Sequence, residues 1–146
     1  MIAIASDHGG FALKQELMAQ LKADGIEFED LGTYTEESCD YPAYAEKLGR
    51  GVAAGTYEKG ILICGTGIGM SMAANKIRGV RCALCSDCFS AEMTRRHNDA
   101  NVLAMGGRVL GVELAKRIMK LFLTTPFEGG RHQRRVDQMM ALENKD

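Results

Sequence analysis

A chain of 146 residues, 46% hydrophobic and 25% charged, has the length and composition of one ordinary globular unit, so residues 1–146 are read as a single domain. Its formal charge of −1 gives nucleic acid or an anionic membrane no electrostatic grip, and its longest uncharged stretch, Gly60 to Asn75, is shorter than the roughly 20 apolar residues that span a bilayer. Five cysteines, an odd number, follow an N-terminus (MIAIASDHGG) whose apolar run is too short for an export signal, which points to reduced thiols in a cytoplasmic protein.

Ile2 to Ala5 is a short apolar run stopped by SDHGG, and reads as the first strand. FALKQELMAQLKADG then places Leu13, Leu17 and Leu21 four apart on one helical stripe, with Gly25 suited to the position just past the helix end. FEDLG returns as a second strand. Tyr41-Pro42 opens a helix with proline in its first turn and Ala45, Leu48 and Val52 on one face. GILIC is apolar at nearly every position, as a strand covered on both faces must be. VRCALC and NVLAM read as the fourth and fifth strands, each followed by a helical pattern. The last two helices run from about Val112 to Leu123 and from about Arg131 to Leu142, on either side of TTPFEGG.

Strand and helix alternate five times, so parallel pairing with helical crossovers is the economical solution. The expected fold is α/β: a Rossmann-like three-layer α/β/α unit with a five-stranded parallel sheet and no internal repeat or linker. The final helix has no strand to return to, and either pads the sheet or reaches a second subunit.

Ligands of such sheets gather beyond the carboxyl ends of the strands. Asp7-His8, Cys64 to Gly69, Ser86-Asp87 and Gly106 to Arg108 are expected there. Gly65-Thr66-Gly67-Ile68-Gly69 follows a strand and opens a helix, as a dinucleotide fingerprint does, and Asp87 stands where a ribose-binding acid would. Met70, however, occupies the place of the third glycine, and no Gly-Lys-Ser/Thr ending exists. What remains is a nest of N–H groups for an anion, or a tight turn with no ligand. Cys64 sits at its lip. Donors at a helix start favour a thiolate there, whereas a cysteine ending an apolar strand is otherwise an inert core residue.

Cys82, Cys85 and Cys88 form C-x2-C-x2-C, but the first two fall within a strand pattern and face opposite sides. No fourth ligand has suitable spacing, so no metal is expected. His8 and His97 occupy polar breaks beside strands one and five. Either could be a plain loop histidine, and Asn98 a helix cap. With Asp7 and Cys64 at one sheet edge they would form an acid–base set. Arg131 and Arg135 lie four apart and share a helix face after two glycines: a grip for phosphate, or a solvated basic turn.

Taken together, SDHGG, the DYP of Asp40-Tyr41-Pro42, CGTGIGMSMAANK, SAEMTRRHNDANVLAMGGRVLG and EGGRHQRRVDQM resemble the type B ribose-5-phosphate isomerases, in the same order and over nearly the whole chain. The broader family includes galactose-6-phosphate and allose-6-phosphate isomerases. The resemblance implies that Cys64 is the base moving a proton between C1 and C2 through a cis-enediolate. Some members use a glutamate farther along the glycine loop, but Met70 to Ala74 contains no acid. It further implies that His97 opens the furanose ring and that Thr66, with the backbone of Gly65, Gly67, Ile68 and Gly69, holds the enediolate oxygens. Asp7, His8, Tyr41, Asn98, Arg108, Arg131 and Arg135 would bind substrate, the arginines chiefly at phosphate. Family members are homodimers or tetramers with sites shared across the dimer, so His97 and Asn98 would face Cys64 of the other subunit and the last helix would lie at the interface.

The chemistry agrees on independent grounds. Aldose–ketose isomerisation needs a base over carbon, a stabiliser for the oxyanion and an acid–base group for the ring. It needs no metal and no cofactor where preorganised donors hold the charge. Two rivals stand beside this reading: a hexose-phosphate isomerase of the same family, and a non-enzymatic nucleotide-binding α/β module using the glycine turn and Asp87.

Overall fold

The computed structural model describes residues 1–145. Five strands form one sheet: β1 (Ile2–Ser6), β2 (Phe28–Asp30), β3 (Gly60–Cys64), β4 (Cys82–Leu84) and β5 (Val102–Gly106). Six α-helices alternate with and follow them: α1 (Phe11–Ala23), α2 (Tyr41–Ala53), α3 (Ile68–Ala74), α4 (Cys88–Asn98), α5 (Val112–Thr124) and α6 (Arg131–Ala141). Short 3-10 turns cover His8–Gly10 and Leu142–Asn144.

All strand pairs are parallel, in the order β2-β1-β3-β5-β4. Every residue of β1, β3 and β5 is buried, because helices cover both faces. Alternation along each strand sorts the core into two layers. Ile2, Ile4, Ile61, Ile63, Leu103 and Met105 meet Leu13, Leu17 and Leu21 of α1 and Ile118 and Phe122 of α5. On the other face Ala3, Ala5, Leu62, Cys64 and Val102 meet Ala45, Leu48 and Val52 of α2 and Met70 and Ala74 of α3. Truncating one of these fully buried leucines to alanine costs about 2–5 kcal/mol.

Local signals set the helix ends. Gly25 takes φ 70° just beyond α1, a left-handed position that stops the helix. Pro42 falls in the first turn of α2, where no amide hydrogen is needed. Asp87 caps α4: its carboxylate accepts from the Ser90 N–H at 2.7 Å and from the Ser90 hydroxyl at 2.8 Å.

Two boundaries and the seat of the last helix differ from the sequence expectation. The second strand stops at Asp30, where the Asp30 carboxylate accepts the Gly32 N–H (2.9 Å) and turns the chain. The fourth begins at Cys82, later than Val80. The final helix pads α4 and not the sheet: its buried His132 and Val136 face inward, and beyond it Glu143 accepts from Gly79 N (2.8 Å) while Asn144 accepts from Arg78 (2.9 Å). The outer strands β2 and β4 are three residues each. On β4 the Asn75 side-chain amide donates to the Cys82 carbonyl (2.9 Å) and accepts from the Cys82 N–H (2.8 Å).

Candidate active site

The chain leaves β1 toward β2 on one side and returns at β3 on the other, so the connections after β1 and β3 diverge and leave a crevice beyond their carboxyl ends. Asp7 follows β1 and Cys64 ends β3, and both line this crevice, which encloses about 500 Å³. Gly65, Thr66, Ile68 and Gly69 line it as well, with Tyr41 and Arg108. Met72, which sequence reasoning did not single out, adds an exposed apolar side chain on α3.

The glycine turn is shaped around the sulfur. Gly67 takes φ 80°, and its N–H donates to the Cys64 Sγ at 3.1 Å, so one N–H of the turn serves the thiol. A side chain at Gly67 is excluded, since a Cβ would stand 2.8 Å from the Met105 carbonyl carbon. The Thr66 hydroxyl accepts the Ile68 N–H at 3.2 Å. The N–H groups of Gly69 and Met70, in the first turn of α3, have no acceptor within the helix and remain as anion donors. Gly69 lets the Tyr41 ring lie against that turn, because a Cβ there would come within 2.7 Å of the ring. Arg108 is held by its own backbone: its N–H donates to the Gly65 carbonyl at 2.9 Å, which lays the side chain beside Gly65.

Asp7 is buried, and its carboxylate accepts the Gly10 N–H at 3.1 Å. The neighbouring His8 engages the loop before α2. Its Nδ1 accepts the Cys39 N–H at 3.2 Å and lies 4.0 Å from the Cys39 sulfur, tying the loop before α2 to the end of β1. The role of Cys39 carries no sequence signal, since the pairing spans 31 residues.

A second cluster stands apart. His97, Asn98, Arg131 and Arg135 do not line the crevice. The expectation that His97 shares an edge with Cys64 is corrected by strand direction: α4 runs back from the carboxyl end of β4, so its last residues reach the amino end of β5, where the Asn101 carbonyl accepts from Gly60 N (3.0 Å). Here the His97 ring stacks on His132 with centroids 4.2 Å apart and planes at 11°. Burial foremost, then the charges of His97, Arg131 and Arg135, push the His132 pKa down against the pull of Glu128. The phosphate-type arginines and the histidine pair therefore occupy one electrostatic neighbourhood.

The family model described as Ribose/Galactose Isomerase matches residues 2–139. The chain belongs to this family. It is 51% identical to the ribose-5-phosphate isomerase B of Escherichia coli (strain K12) over 144 residues, covering 99% of this chain and 97% of that protein. Its fold is similar to the Clostridium thermocellum ribose-5-phosphate isomerase B, with a TM-score of 0.97 at 48% identity over 99% of this chain and 97% of that one. It is also similar to the Mycoplasma genitalium ribose-5-phosphate isomerase B crystallised with bound ribulose-5-phosphate, with a TM-score of 0.94 at 41% identity over 99% and 97%.

Within the family fold the remaining thiols and acids have structural occupations. Cys82 and Cys85 face opposite layers, as the strand pattern predicts, and cannot converge on one ion. Burial pushes the Cys82 thiol up to about 12 and the Cys85 thiol up to about 11, the latter with help from Asp87. Asp87 is engaged at the start of α4, so the nucleotide-binding reading loses its ribose acid. No helix among the described residues is long and apolar enough to cross a membrane.

Proposed function

We propose that this isomerase interconverts D-ribose 5-phosphate and D-ribulose 5-phosphate in a homodimer, each site combining the Cys64 crevice of one protomer with the His97 cluster of the other. The observation that carries the reading is the division itself. Base, glycine turn and Arg108 lie at the carboxyl edge of the sheet, while His97, Asn98, Arg131 and Arg135 lie toward the amino edge. The two sets complement one another: among the described residues no histidine lines the crevice to open a ring, and the second cluster has no thiol beside a glycine turn. A two-fold axis brings each edge of one chain to the other edge of its partner. It also gives α6 and the turn that follows it, which present Met139 and Leu142 to the surface, a place near the interface.

The steps follow from the groups. His97 gives a proton to the ring oxygen as the C1–O4 bond breaks, and the anomeric hydroxyl passes its proton to water, which restores the proton of His97 and leaves the open aldehyde. Cys64, whose sulfur accepts the Gly67 N–H, takes the proton from C2 as its thiolate, and the electron pair moves through the new C1=C2 bond onto O1. Thr66 and the first-turn N–H groups of Gly69 and Met70 hold the enediolate oxygens while a proton passes from O2 to O1. Cys64 returns its proton to C1, and O2 becomes the ketone oxygen. Asp7, His8, Tyr41 and Asn98 contact the sugar, with His8 kept in place through Cys39. Arg131 and Arg135, with Arg108, neutralise the phosphate.

The test is direct. Purified protein in excess chelator is given D-ribose 5-phosphate and D-allose 6-phosphate in separate and competing assays. Ribulose 5-phosphate is expected to form at an undiminished rate with chelator present. Absence of ribulose 5-phosphate, or preferential turnover of the hexose phosphate, overturns the substrate assignment.

A further inference from the structure

We propose that His132, anchored by Glu128, is a positioning residue that holds the His97 ring in the plane and orientation from which it exchanges its proton. This rests on the reading of His97 as the ring-opening group. His97 is the penultimate residue of α4, and its side chain is 41% exposed. Such a ring rotates freely about two side-chain bonds unless something fixes it, whereas a group that transfers a proton must be held within about 0.5 Å and 10–20°. His132 is suited to the task. It is only 7% exposed, sits in the first turn of α6 and lies face to face with His97.

Glu128 fixes the lower ring. Its Oε1 is 3.3 Å from His132 Nε2 and 3.9 Å from His97 Nε2, so its closer contact is with the buried histidine. Glu128 is itself strapped to α4: its N–H donates to the Arg96 carbonyl at 3.1 Å, and its other oxygen accepts from Arg96 at 3.3 Å. The order is therefore α4, Glu128, His132, then back to His97 on α4, a closed loop of contacts. Burial and the charges of His97, Arg131 and Arg135 disfavour the charged form of His132 against the pull of Glu128, which suits a flat ring lying beneath a proton-carrying His97.

His97, Glu128 and His132 also have the donor types of a metal site, with ligand atoms within 4.8 Å of one another. The parallel rings argue against joint ligation. An ion in the plane of one imidazole lies well out of the plane of the other, where that ring has no lone pair. Stacking and shared coordination are alternatives, and the stack is the geometry present.

The experiment compares His132→Ala, His132→Phe and His97→Asn on D-ribose 5-phosphate and on D-erythrose 4-phosphate, whose phosphorylated end prevents closure to a furanose. His132→Ala is expected to lower kcat on ribose 5-phosphate about tenfold, a part of the 10²–10⁴ that a general acid contributes, and to change KM and erythrose 4-phosphate turnover less than about twofold. His132→Phe, which keeps a flat ring under His97, is expected to recover most of that loss. Combining His132→Ala with His97→Asn is expected to slow the enzyme no further than His97→Asn alone. Equal losses on both sugars, no loss on either, or a phenylalanine variant as poor as alanine each overturn the proposal. Ring-nitrogen NMR signals of His97 provide the separate readout. They are expected to shift in His132→Ala, and unchanged signals also overturn the proposal. Should His97→Asn slow both sugars alike, the ring-opening role falls, and those signals still decide whether His132 positions His97.

Discussion

Cys64 and His97 stand at opposite edges of the same sheet, separated along the strand direction by the length of a five-residue strand, roughly 16 Å. The proposed site therefore takes Cys64 from one protomer and His97 from its partner. The separation yields a complementation test. Cys64→Ala and His97→Asn proteins, each deeply impaired on ribose 5-phosphate, are unfolded together and refolded as a mixture. In a two-fold dimer half of the products are mixed, and each mixed dimer has one intact site, so about a quarter of parental activity is expected to return. Recovery of nothing, with mixed dimers verified by mass, would place both residues in one chain's site.

Cys64→Ala is expected to lower kcat at least about 10²-fold, the usual share of a general base, while the protein stays folded and binds sugar phosphate. Cys64→Ser is expected to behave nearly the same, because a hydroxyl is a far poorer base near neutral pH. A folded Cys64→Ala protein that keeps more than about a tenth of parental kcat removes the mechanism.

Thiol labelling distinguishes Cys64 from its neighbours. Cys82 and Cys85, with thiols pushed up to about 12 and about 11, stay protonated at pH 8 and are expected to resist iodoacetamide. Loss of activity is expected to track carboxamidomethylation of Cys64 in peptide maps, and saturating ribose 5-phosphate is expected to slow both. Inactivation that instead follows modification of Cys39, the thiol beside His8, would shift attention to the other side of the crevice.

Arg135→Ala is expected to raise KM for ribose 5-phosphate by about 10- to 100-fold, the equivalent of losing a charged hydrogen bond worth about 1.5–3 kcal/mol, with little change in kcat. Arg131 and Arg135 both act on the charge of His132, which sets them beside the histidine pair. Any turnover of unphosphorylated D-ribose is expected to be unaffected. Equal losses on both sugars would move the phosphate grip elsewhere.

Asp87 gives α4 a pH-dependent start. The N–H and then the hydroxyl of Ser90 hold its carboxyl below the usual range, with a smaller contribution from the Phe89 N–H and a small opposing effect of desolvation. A depressed folded-state value stabilises the protein fully above the unfolded value of about 3.9, and that contribution is lost as pH falls through the folded value. Asp87→Ala is therefore expected to lower Tm at pH 7, with the gap to the parent closing as pH falls beneath that unfolded value. A gap that is constant with pH would mean that the cap acts without its charge.

Much of this was readable from residue order. Leu13, Leu17 and Leu21 mark the buried stripe of α1, and GILIC announces a strand covered on both sides. The glycine turn, Cys64, Tyr41 and Arg108 converge because all lie near the carboxyl ends of parallel strands. The place of His97 is not legible from RRHNDANV lying beside a strand, since that leaves open which end of the strand it meets. In a parallel sheet the segment that precedes a strand lies at its amino end. Sheet order and the pairings His8 with Cys39 and His97 with His132 depend on contacts between segments far apart in sequence, which periodicity cannot report. His132 was passed over between two arginines, although one residue along a helix turns about 100° and reaches a different neighbour.

The Asn75 amide matters beyond the residue it touches. By filling both the donor and the acceptor of Cys82, it supplies on β4 the pairing that a foreign strand would otherwise offer. The opposite border, β2, is too short to template a long ladder. The sheet is thus closed to lateral growth. Copies of this chain crowded together at high concentration can meet through side-chain surfaces but have little main chain with which to begin a cross-β fibre, so the colloidal behaviour of the folded protein is guarded by one asparagine and a short border strand.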